Sequence, residues 1–262
     1  MKIVKRVVKI LLITAFWIGV WDFAAWRVGK PLLFPTPKLV FIRLYELIQT
    51  KEFYQITANS LWNIFIGLVI AISLGVLLAI ITSRISFVRE AILPLMSVIK
   101  ATPVASFIVL AIICLNVIFS TQSGSAKVPT FIAILIVLPV IWTNLDEGFL
   151  KIDPKLTEVT KVYKVSFFRR LKILIFPSLK PYFVSACRAS IGLAWKAGIS
   201  AEILAMPKNT IGTMIGEAKL YIETATMFAW TLTVILLSLV IELLFTWLLG
   251  QWNKKSTKKE EN

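Results

Sequence analysis

Residues 151–181 read KIDPKLTEVTKVYKVSFFRRLKILIFPSLKP and separate four long apolar stretches from the two that follow. This segment carries eight lysines and arginines against two acidic residues, Asp153 and Glu158. Connections between packed helices usually take about two to eight residues. A connection of this length, with an apolar pattern of its own, predicts a functional element between two membrane-spanning regions.

The apolar stretches on either side predict an all-α integral membrane protein. Of the 262 residues, 58% are hydrophobic, against about 45–50% in soluble domains, and several stretches reach the roughly 20 residues that cross a bilayer. We expect one transmembrane domain over residues 1–262, with about six transmembrane helices and a disordered basic tail at 253–262. Pro94 and Pro103 predict that the third helix is kinked or partly broken. The approximate spans are 7–28, 60–83, 91–119, 129–150, 183–205 and 226–250.

The net charge of +15 arises from lysines and arginines between the spans, so a nucleic-acid partner is not expected. With the N-terminus inside, the cytoplasmic segments hold eighteen of these cations and the outer segments seven, which satisfies the positive-inside rule. We therefore expect a multi-pass protein of the cell inner (plasma) membrane, with both termini and the 151–181 loop in the cytoplasm. Histidine is absent, and Cys114 and Cys187 lie in apolar stretches, so we expect neither a metal site nor a disulfide framework.

Within the loop, the sequence predicts two short helices joined before Ser166. Asp153 suits an N-cap and Pro154 suits the first helical position. Apolar residues then fall on one face of the first helix, at Leu156, Val159, Val162 and Tyr163. Ser166 suits the start of a second helix, FFRRLKILIF, that ends near Pro177 and Pro181. This pattern alone fits both an amphipathic helix on the lipid of the inner leaflet and a helix that binds a protein partner.

The loop resembles the coupling loop of the integral membrane permeases of binding-protein-dependent, ATP-driven (ABC) importers. The family motif reads Glu-Ala-Ala, three residues, Gly, nine residues, Ile-x-Leu-Pro. At the same spacing this sequence has Glu158-Val159-Thr160, Lys164 and Leu174-Ile175-Phe176-Pro177. The glutamate and the proline match, whereas lysine replaces the glycine of the turn. Because a side chain disfavours the left-handed backbone of such a turn by about 1 kcal/mol, we expect Lys164 to change the shape of the turn.

Further segments resemble the nitrate, sulfonate, taurine and bicarbonate branch of these permeases, in order along nearly the whole chain. They are Phe34-Pro35-Thr36-Pro37 after the first span, Ser60-Leu61 and Gly67 in the second, Ala101-Thr102-Pro103 in the third, Arg188, Gly192, Ala194-Trp195 and Ala201-Glu202 in the fifth, and Ile211-Gly212 after it. Asn63 stands where the branch has arginine. The resemblance implies the type I ABC importer permease fold, with a cytoplasmic two-helix coupling loop.

The resemblance also implies partners. Such permeases pair with a second permease, usually a copy of themselves, and rely for selectivity largely on an extracytoplasmic substrate-binding protein. Their loop inserts into a groove on each of two cytoplasmic ATPase subunits. Glu158 would face an ATPase cation, and the basic residues would face acidic groups or membrane lipid. The ATPase-coupling residues expected on this basis are Leu156, Glu158, Val159, Val162, Tyr163, Lys164 and Pro177.

No Gly-x-x-x-x-Gly-Lys-Ser/Thr phosphate loop occurs in the sequence. We therefore expect a transport subunit rather than an enzyme, with no cofactor bound by this chain and with ATP used by the partner subunit. The expected substrate is a small anion such as a sulfonate or nitrate, or a vitamin precursor. The alternative is an ion- or proton-coupled secondary transporter, because Glu202 and Glu242 are carboxylates within predicted spans.

Ionisable residues inside the spans are the candidates for the translocation pathway, since each costs about 2.5–3.5 kcal/mol at a helix centre unless it pairs or reaches the surface. Arg188 and Lys196 are eight residues apart, roughly on one face of the fifth span. They favour a pathway that tolerates an anion. The other interpretation has Arg188 extending to the inner surface and the remaining charges paired with neighbouring helices. The candidate pathway residues are Lys100, Thr102, Arg188, Trp195, Lys196 and Glu202.

Overall fold

The computed structural model describes residues 2–119 and 121–260, apart from the side chains of residues 2–7, 10, 121, 122, 167 and 252–260. Over these residues the chain contains helices and no strand, which confirms the all-α prediction. The helices are α1 (Lys2–Val28), α2 (Pro37–Ile48), α3 (Lys51–Thr82), α4 (Ser86–Ala101), α5 (Val104–Ile118), α6 (Thr121–Leu150), α7 (Pro154–Val162), α8 (Phe167–Arg170), a π-helical turn (Leu171–Ile175), α9 (Phe176–Ala205), α10 (Ile211–Leu220) and α11 (Thr224–Glu260).

Four of the described helices are long and apolar enough to cross a membrane by themselves, namely α1, α3, α6 and α11. The consecutive helices α4 and α5 make a fifth span if they are counted together, although they are bent by 105° relative to each other. The bend falls at Thr102, whose extended backbone (ψ 134°) is the conformation favoured before a proline. This break confirms the predicted interruption of the third span. The remaining predicted span is α9, which is 30 residues long but carries four charged side chains.

The core of the fold is α6, which packs against α3 on one side and α9 on the other. Small buried residues recur every four positions along α3, at Gly67, Ala71, Gly75 and Ala79. A Cβ on Gly67 would lie 2.7 Å from the Cβ of Ala133, and one on Gly75 would lie 2.8 Å from the Cβ of Ile141. The two helices therefore approach each other more closely than larger residues would permit, as small residues spaced by four allow in membranes.

The chain between α1 and α2 lies where α1, α2 and α11 meet. Thr36 caps α2 by accepting a hydrogen bond from the Leu39 N–H (3.4 Å), and Pro37 begins the helix. The Trp21 Nε1–H of α1 donates to the carbonyl oxygen of Pro35 (3.1 Å), and the Trp21 ring stacks on Phe228 of α11. The prolines thus mark a turn before a short helix.

The basic C-terminal segment differs from its prediction. We expected residues 253–262 to be disordered, yet α11 continues as a helix through residue 260. Lysine and glutamate have favourable helix propensities, so the segment can extend the end of a long helix without further packing. Residues 261 and 262 lie outside the described part of the chain.

Candidate functional site

The first helix of the basic 151–181 loop, α7, is capped at its N-terminus as its sequence predicts. The Asp153 carboxylate accepts a hydrogen bond from the Lys155 N–H (2.8 Å), and Pro154 occupies the first helical position. Both features satisfy or remove backbone N–H groups that a helix start leaves without partners. A helix of nine residues therefore begins at a defined position, directly after the end of α6.

The predicted apolar face of α7 is exposed. Leu156 and Val159 are each 50% accessible, and Val162 and Tyr163 are each 77% accessible. Glu158 and Lys164 are exposed as well, whereas Thr160, next to Leu156 and Tyr163 around the helix, is buried against the rest of the chain. A contiguous exposed apolar surface on a short helix is typical of an interaction site. We call Leu156, Val159, Val162 and Tyr163 the α7 face.

The turn after α7 keeps the backbone shape that a glycine would give it. Lys164 has φ +49°, in the left-handed region. Its N–H donates to the Lys161 oxygen (3.0 Å), and the Val165 N–H donates to the Thr160 oxygen (2.9 Å), which together make a Schellman motif. The expected change of shape is therefore wrong: two backbone hydrogen bonds hold the turn although lysine carries a steric cost there.

Replacing Lys164 by glycine is expected to stabilise this turn by about 1 kcal/mol, because the left-handed backbone costs a glycine nothing. Hydrogen exchange of the Val165 N–H should slow by roughly fivefold. Lys161→Gly is the matched control at a helical position, where exchange should become faster instead. Faster exchange in Lys164→Gly would contradict the left-handed assignment.

The second half of the loop does not end where the prolines predicted. α8, the π-helical turn and α9 are consecutive, so the backbone stays helical past Pro177 and Pro181. In the π-helical turn, the Phe176 N–H donates to the Leu171 oxygen, five residues back. This wider turn displaces the carbonyl groups with which a proline ring collides in a regular α-helix. The exposed Pro177 therefore lies in an uninterrupted connection from the loop to the fifth span.

Two of the candidate pathway residues lie at the break between α4 and α5. The Lys100 Nζ donates to the Thr143 Oγ1 of α6 (3.3 Å), and Lys100 itself is exposed. The Thr102 Oγ1 donates to the Val98 oxygen within α4 (2.8 Å). The Thr102 hydroxyl is therefore hydrogen-bonded within its own helix. The Lys100 charge remains exposed beside α6.

Arg188 and Lys196 lie together in a cleft between α9 and α11. The cleft has a volume of about 370 Å³, and Glu242 of α11 lines its other wall together with Phe245 and Thr246. Both cations and Glu242 are exposed. The structure therefore groups two of the candidate pathway residues with Glu242, which was not among the predicted pathway residues. We call this the α9–α11 cleft.

Trp195 joins α9 to α11. It is only 3% exposed, and its Nε1–H donates to the Val234 oxygen of α11 (3.2 Å). Its ring also lines an apolar cavity of about 350 Å³ that lies between α3, α9 and α11. Because the only side-chain donor of this buried tryptophan binds a backbone oxygen of α11, Trp195 helps to fix the position of α11 against α9.

Glu202 is fully buried near the C-terminal end of α9 and does not lie in the α9–α11 cleft. Its Oε2 accepts hydrogen bonds from the Ser60 Oγ of α3 (2.8 Å) and from the Gly212 N–H of α10 (3.0 Å). Ser60 in turn accepts one from the Ile211 N–H (2.9 Å). We call Ser60, Glu202, Ile211 and Gly212 the outer latch, because they fasten α10 to both α3 and α9.

An ion pair that the sequence did not predict lies near the C-terminal end of α6. The Arg89 Nε of α4 is 2.8 Å from the Asp146 Oδ1, and the Arg89 Nη2 is 2.9 Å from the Asp146 Oδ2. Their side chains are 29% and 8% exposed. The two residues are 57 positions apart, so no helical spacing could have revealed the pair. It fastens the start of the bent α4–α5 pair to the helix that leads into α7.

The family model described as "Binding-protein-dependent transport system inner membrane component" matches residues 67–252. The matched region contains the α3 stripe from Gly67 onward, the loop with the α7 face, and the α9–α11 cleft. The chain belongs to this family.

The chain is similar to curated permeases whose names include sulfonate, nitrate and formylaminopyrimidine transport. It is 24% identical over 222 residues to a putative aliphatic sulfonates transport permease protein of Bacillus subtilis, covering 84% of this chain and 78% of the relative. It is 25% identical over 209 residues to a nitrate import permease protein of Synechocystis, covering 76% and 72%. It is 26% identical over 175 residues to a formylaminopyrimidine transport permease protein of Halalkalibacterium halodurans, covering 67% of each.

Solved structures share the fold. A bacterial ABC transporter involved in the import of the acidic polysaccharide alginate matches with a TM-score of 0.67 and 16% identity, over 95% of this chain and 98% of that one. The MetNI methionine ABC transporter matches with a TM-score of 0.55 and 17% identity, over 83% and 97%. These likenesses confirm the type I ABC importer permease fold, and with it a multi-pass membrane protein.

Proposed function

We propose that this permease forms the translocation pathway of an ATP-driven importer together with a second copy of itself, and that α7 couples the pathway to cytoplasmic ATPase subunits. The observation that carries the proposal is the α7 face. Its four large apolar side chains are all at least half exposed on a helix with a capped start and a hydrogen-bonded end. Such a helix is built to bury its apolar side in a groove of a partner.

The connection from α7 to the membrane supports a coupling role. After the Lys164 turn, the backbone is helical without a break from Phe167 to Ala205. A displacement of α7 by a partner would therefore reach α9 through a continuous helix, and the outer latch would carry it on to α10. α9 also carries two cations of the α9–α11 cleft, so the same helix connects the docking surface to the proposed pathway.

The remaining partners follow from the relatives and the charge distribution. Eighteen lysines and arginines against seven favour both termini and α7 in the cytoplasm. An extracytoplasmic binding protein would then deliver the substrate at the face that carries α2 and α10. The relatives favour a sulfonate, nitrate or a vitamin precursor as substrate, with ATP bound and hydrolysed by the ATPase subunits alone. The family assignment leaves no reason to retain the ion-coupled secondary transporter.

The test is co-purification of the ATPase with permease variants of the α7 face. Val162→Asp is expected to reduce the bound ATPase at least tenfold, because a carboxylate would have to enter an apolar contact, and 1.4 kcal/mol already corresponds to tenfold in affinity. Insertion and folding should be unchanged, since Val162 is 77% exposed in the permease itself.

Lys161→Gln is the matched control, because it lowers the net charge by one unit, as Val162→Asp does, at an exposed position of α7 that lies off the α7 face. It should retain the ATPase. If Val162→Asp also retains the ATPase, or if both variants lose it equally, the α7 face is not the docking surface.

A further inference from the structure

The α9–α11 cleft contains three charged side chains in a regular arrangement. Arg188, Gly192 and Lys196 follow one another at intervals of four on α9, so they lie on one face of the helix. Glu242 reaches across from α11, and a Cβ on residue 192 would lie 3.0 Å from its Oε1. The Glu242 carboxylate therefore lies at the height of Gly192 along α9, with one cation a turn before it and the other a turn after it.

These three charges have no ionic partner within the described part of the chain. The ion pairs found there are Arg43–Glu46 and Arg89–Asp146, and neither involves the cleft. An unpaired charge that faced hydrocarbon would be costly, so charged residues in membrane helices face protein or water-filled space. The cleft is therefore covered by something other than lipid tails.

The exposed side of α9 around the cleft also differs from a lipid-facing surface. The helix packs against α3, α5, α6, α10 and α11 and leaves one stripe open. Within residues 183–200, five of the six exposed side chains are small or charged, whereas α11 exposes large apolar side chains such as Leu243 and Trp247. Small residues permit close approach of another helix, so the open stripe favours a protein neighbour. The six exposed residues are Ser185, Arg188, Ala189, Leu193, Lys196 and Ser200.

A second copy of the chain is a neighbour with matching charges. The cleft presents both signs, and in a two-fold contact a residue that meets another residue of the second copy is itself met in the same way, so each opposite-charge contact forms twice. Two copies that insert into the membrane with the same orientation are related by an axis along the membrane normal. Each residue near that axis therefore meets residues of the other copy at its own depth.

The direction of the side chains decides which cation shares the depth of Glu242. The Cα–Cβ bonds of a helix tilt toward its N-terminus, so the Lys196 side chain leans back toward Gly192, whereas the Arg188 side chain leans away from it. Lys196 begins about 6 Å along the helix axis from Gly192, a distance that its long side chain can span. Glu242 of one copy is therefore matched in depth to Lys196 of the other, and Arg188 is not.

We propose that the α9–α11 clefts of two copies face each other, and that Glu242 of each copy pairs with Lys196 of the other. The dimer then contains two such ion pairs, related by the two-fold axis, and both Arg188 side chains stay outside them. This rests on the proposed function, from which it takes the second copy, and it adds the residues that join the copies. Because the proposed pathway runs between the copies, the two pairs close it at the depth of Gly192.

Cross-linking in mixed dimers tests the pairing. Two copies with different affinity tags, one carrying Glu242→Cys and the other Lys196→Cys, are co-expressed with the ATPase subunits in a background of Cys114→Ser and Cys187→Ala. A short bis-methanethiosulfonate linker joins the thiols, because a direct disulfide would require Cβ atoms within about 4.5 Å of each other. We expect a cross-linked product that carries both tags.

Leu243→Cys in place of Glu242→Cys is the matched control. Leu243 is the next residue of α11 and is 71% exposed, but it does not line the cleft. The control should give at least tenfold less cross-linked product. Equal yields would overturn the assignment. So would a cross-link that forms only when both cysteines are in one chain, since Glu242 and Lys196 would then pair within that chain.

Charge reversal provides an independent readout. Glu242→Lys and Lys196→Glu should each reduce, at least tenfold, the amount of one tagged copy that co-purifies with the other, because each variant places like charges opposite each other. The double variant should restore co-purification, since both pairs form again with exchanged signs. Unchanged co-purification of the single variants, or no recovery in the double variant, would reject the pairing.

Co-purification of two wild-type copies separates this inference from the proposed function. If the wild-type tags co-purify and no cross-link forms, the pairing is wrong and the dimer stands. If the wild-type tags do not co-purify, the second copy itself is wrong, whereas binding of the ATPase still reports on the α7 face.

Discussion

Gly212→Ala is expected to destabilise the permease by about 3–5 kcal/mol, through overpacking and the loss of buried hydrogen bonds. An added Cβ would overlap the Cβ of Glu202 and would lie 2.6 Å from the Ile203 nitrogen and 2.7 Å from the Glu202 carbonyl carbon. Two of these atoms are backbone, so a rotamer change cannot relieve the contact. α10 would have to move away, which breaks the Gly212 and Ile211 hydrogen bonds of the outer latch.

Thermal unfolding in detergent, with the monodisperse fraction measured in parallel, checks this result. Gly216→Ala provides a close control because it makes the same substitution one turn further along α10. There, the nearest atom to an added Cβ is 3.4 Å away, which is ordinary contact. This control should be neutral or slightly stabilising, since alanine favours helix by about 1 kcal/mol over glycine. Equal stability of the two variants would show that Gly212 does not approach α9 as described.

Asp146→Asn is expected to destabilise the permease by about 2 kcal/mol, because it leaves the Arg89 guanidinium partly buried without its carboxylate. Breaking a fully buried pair costs about 3–5 kcal/mol. We expect less here because the Arg89 side chain keeps 29% of its exposure and water can solvate part of its charge. Losing the ion pair should also weaken the contact between the start of α4 and α6, because Arg89 and Asp146 join these two helices.

A double-mutant cycle with Arg89→Gln isolates the pair, and the double variant should recover part of the loss because no unpaired charge remains. Unfolding free energies in mixed micelles give the four values. Glu147→Gln tests the neighbouring, exposed position and should change stability by less than about 0.5 kcal/mol. Additive losses in the cycle would mean that Arg89 and Asp146 do not interact.

Local patterns in the sequence were sufficient for the features whose physics is local. The N-cap at Asp153, the α7 face and the break at Pro103 each depend on residues within a few positions of one another. Lys164 marks the limit of such reasoning. Its own conformational preference argues against a left-handed turn, but the hydrogen bonds of the completed Schellman motif outweigh that preference. Pro177 is a similar case, because a π-helical turn accommodates a proline that a regular helix would not.

The candidate pathway residues have different structural roles, and the sequence alone could not predict all of them. Arg188 and Lys196 share a face at helical spacing, and the structure places them in one cleft. Glu202, on the same helix, turned out to fasten α10, because its partners Ser60 and Gly212 come from other helices. The Arg89–Asp146 pair could not be predicted for the same reason. Each residue alone is an ordinary charge near the end of a span, and only the packing of α4 against α6 brings the two together.

The sequence by itself determined that this protein is a helical membrane permease with a basic loop between its fourth and fifth spans, because hydropathy and motif spacing are properties of the chain read in order. Only the tertiary structure decided which charges are used to hold helices together and which remain available. Asp146 is paired with Arg89, and the Glu202 Oε2 accepts two hydrogen bonds in the outer latch, whereas Arg188, Lys196 and Glu242 form no ion pair among the described side chains. That difference depends on which helices pack side by side, and packing brings together residues that no spacing along the chain connects.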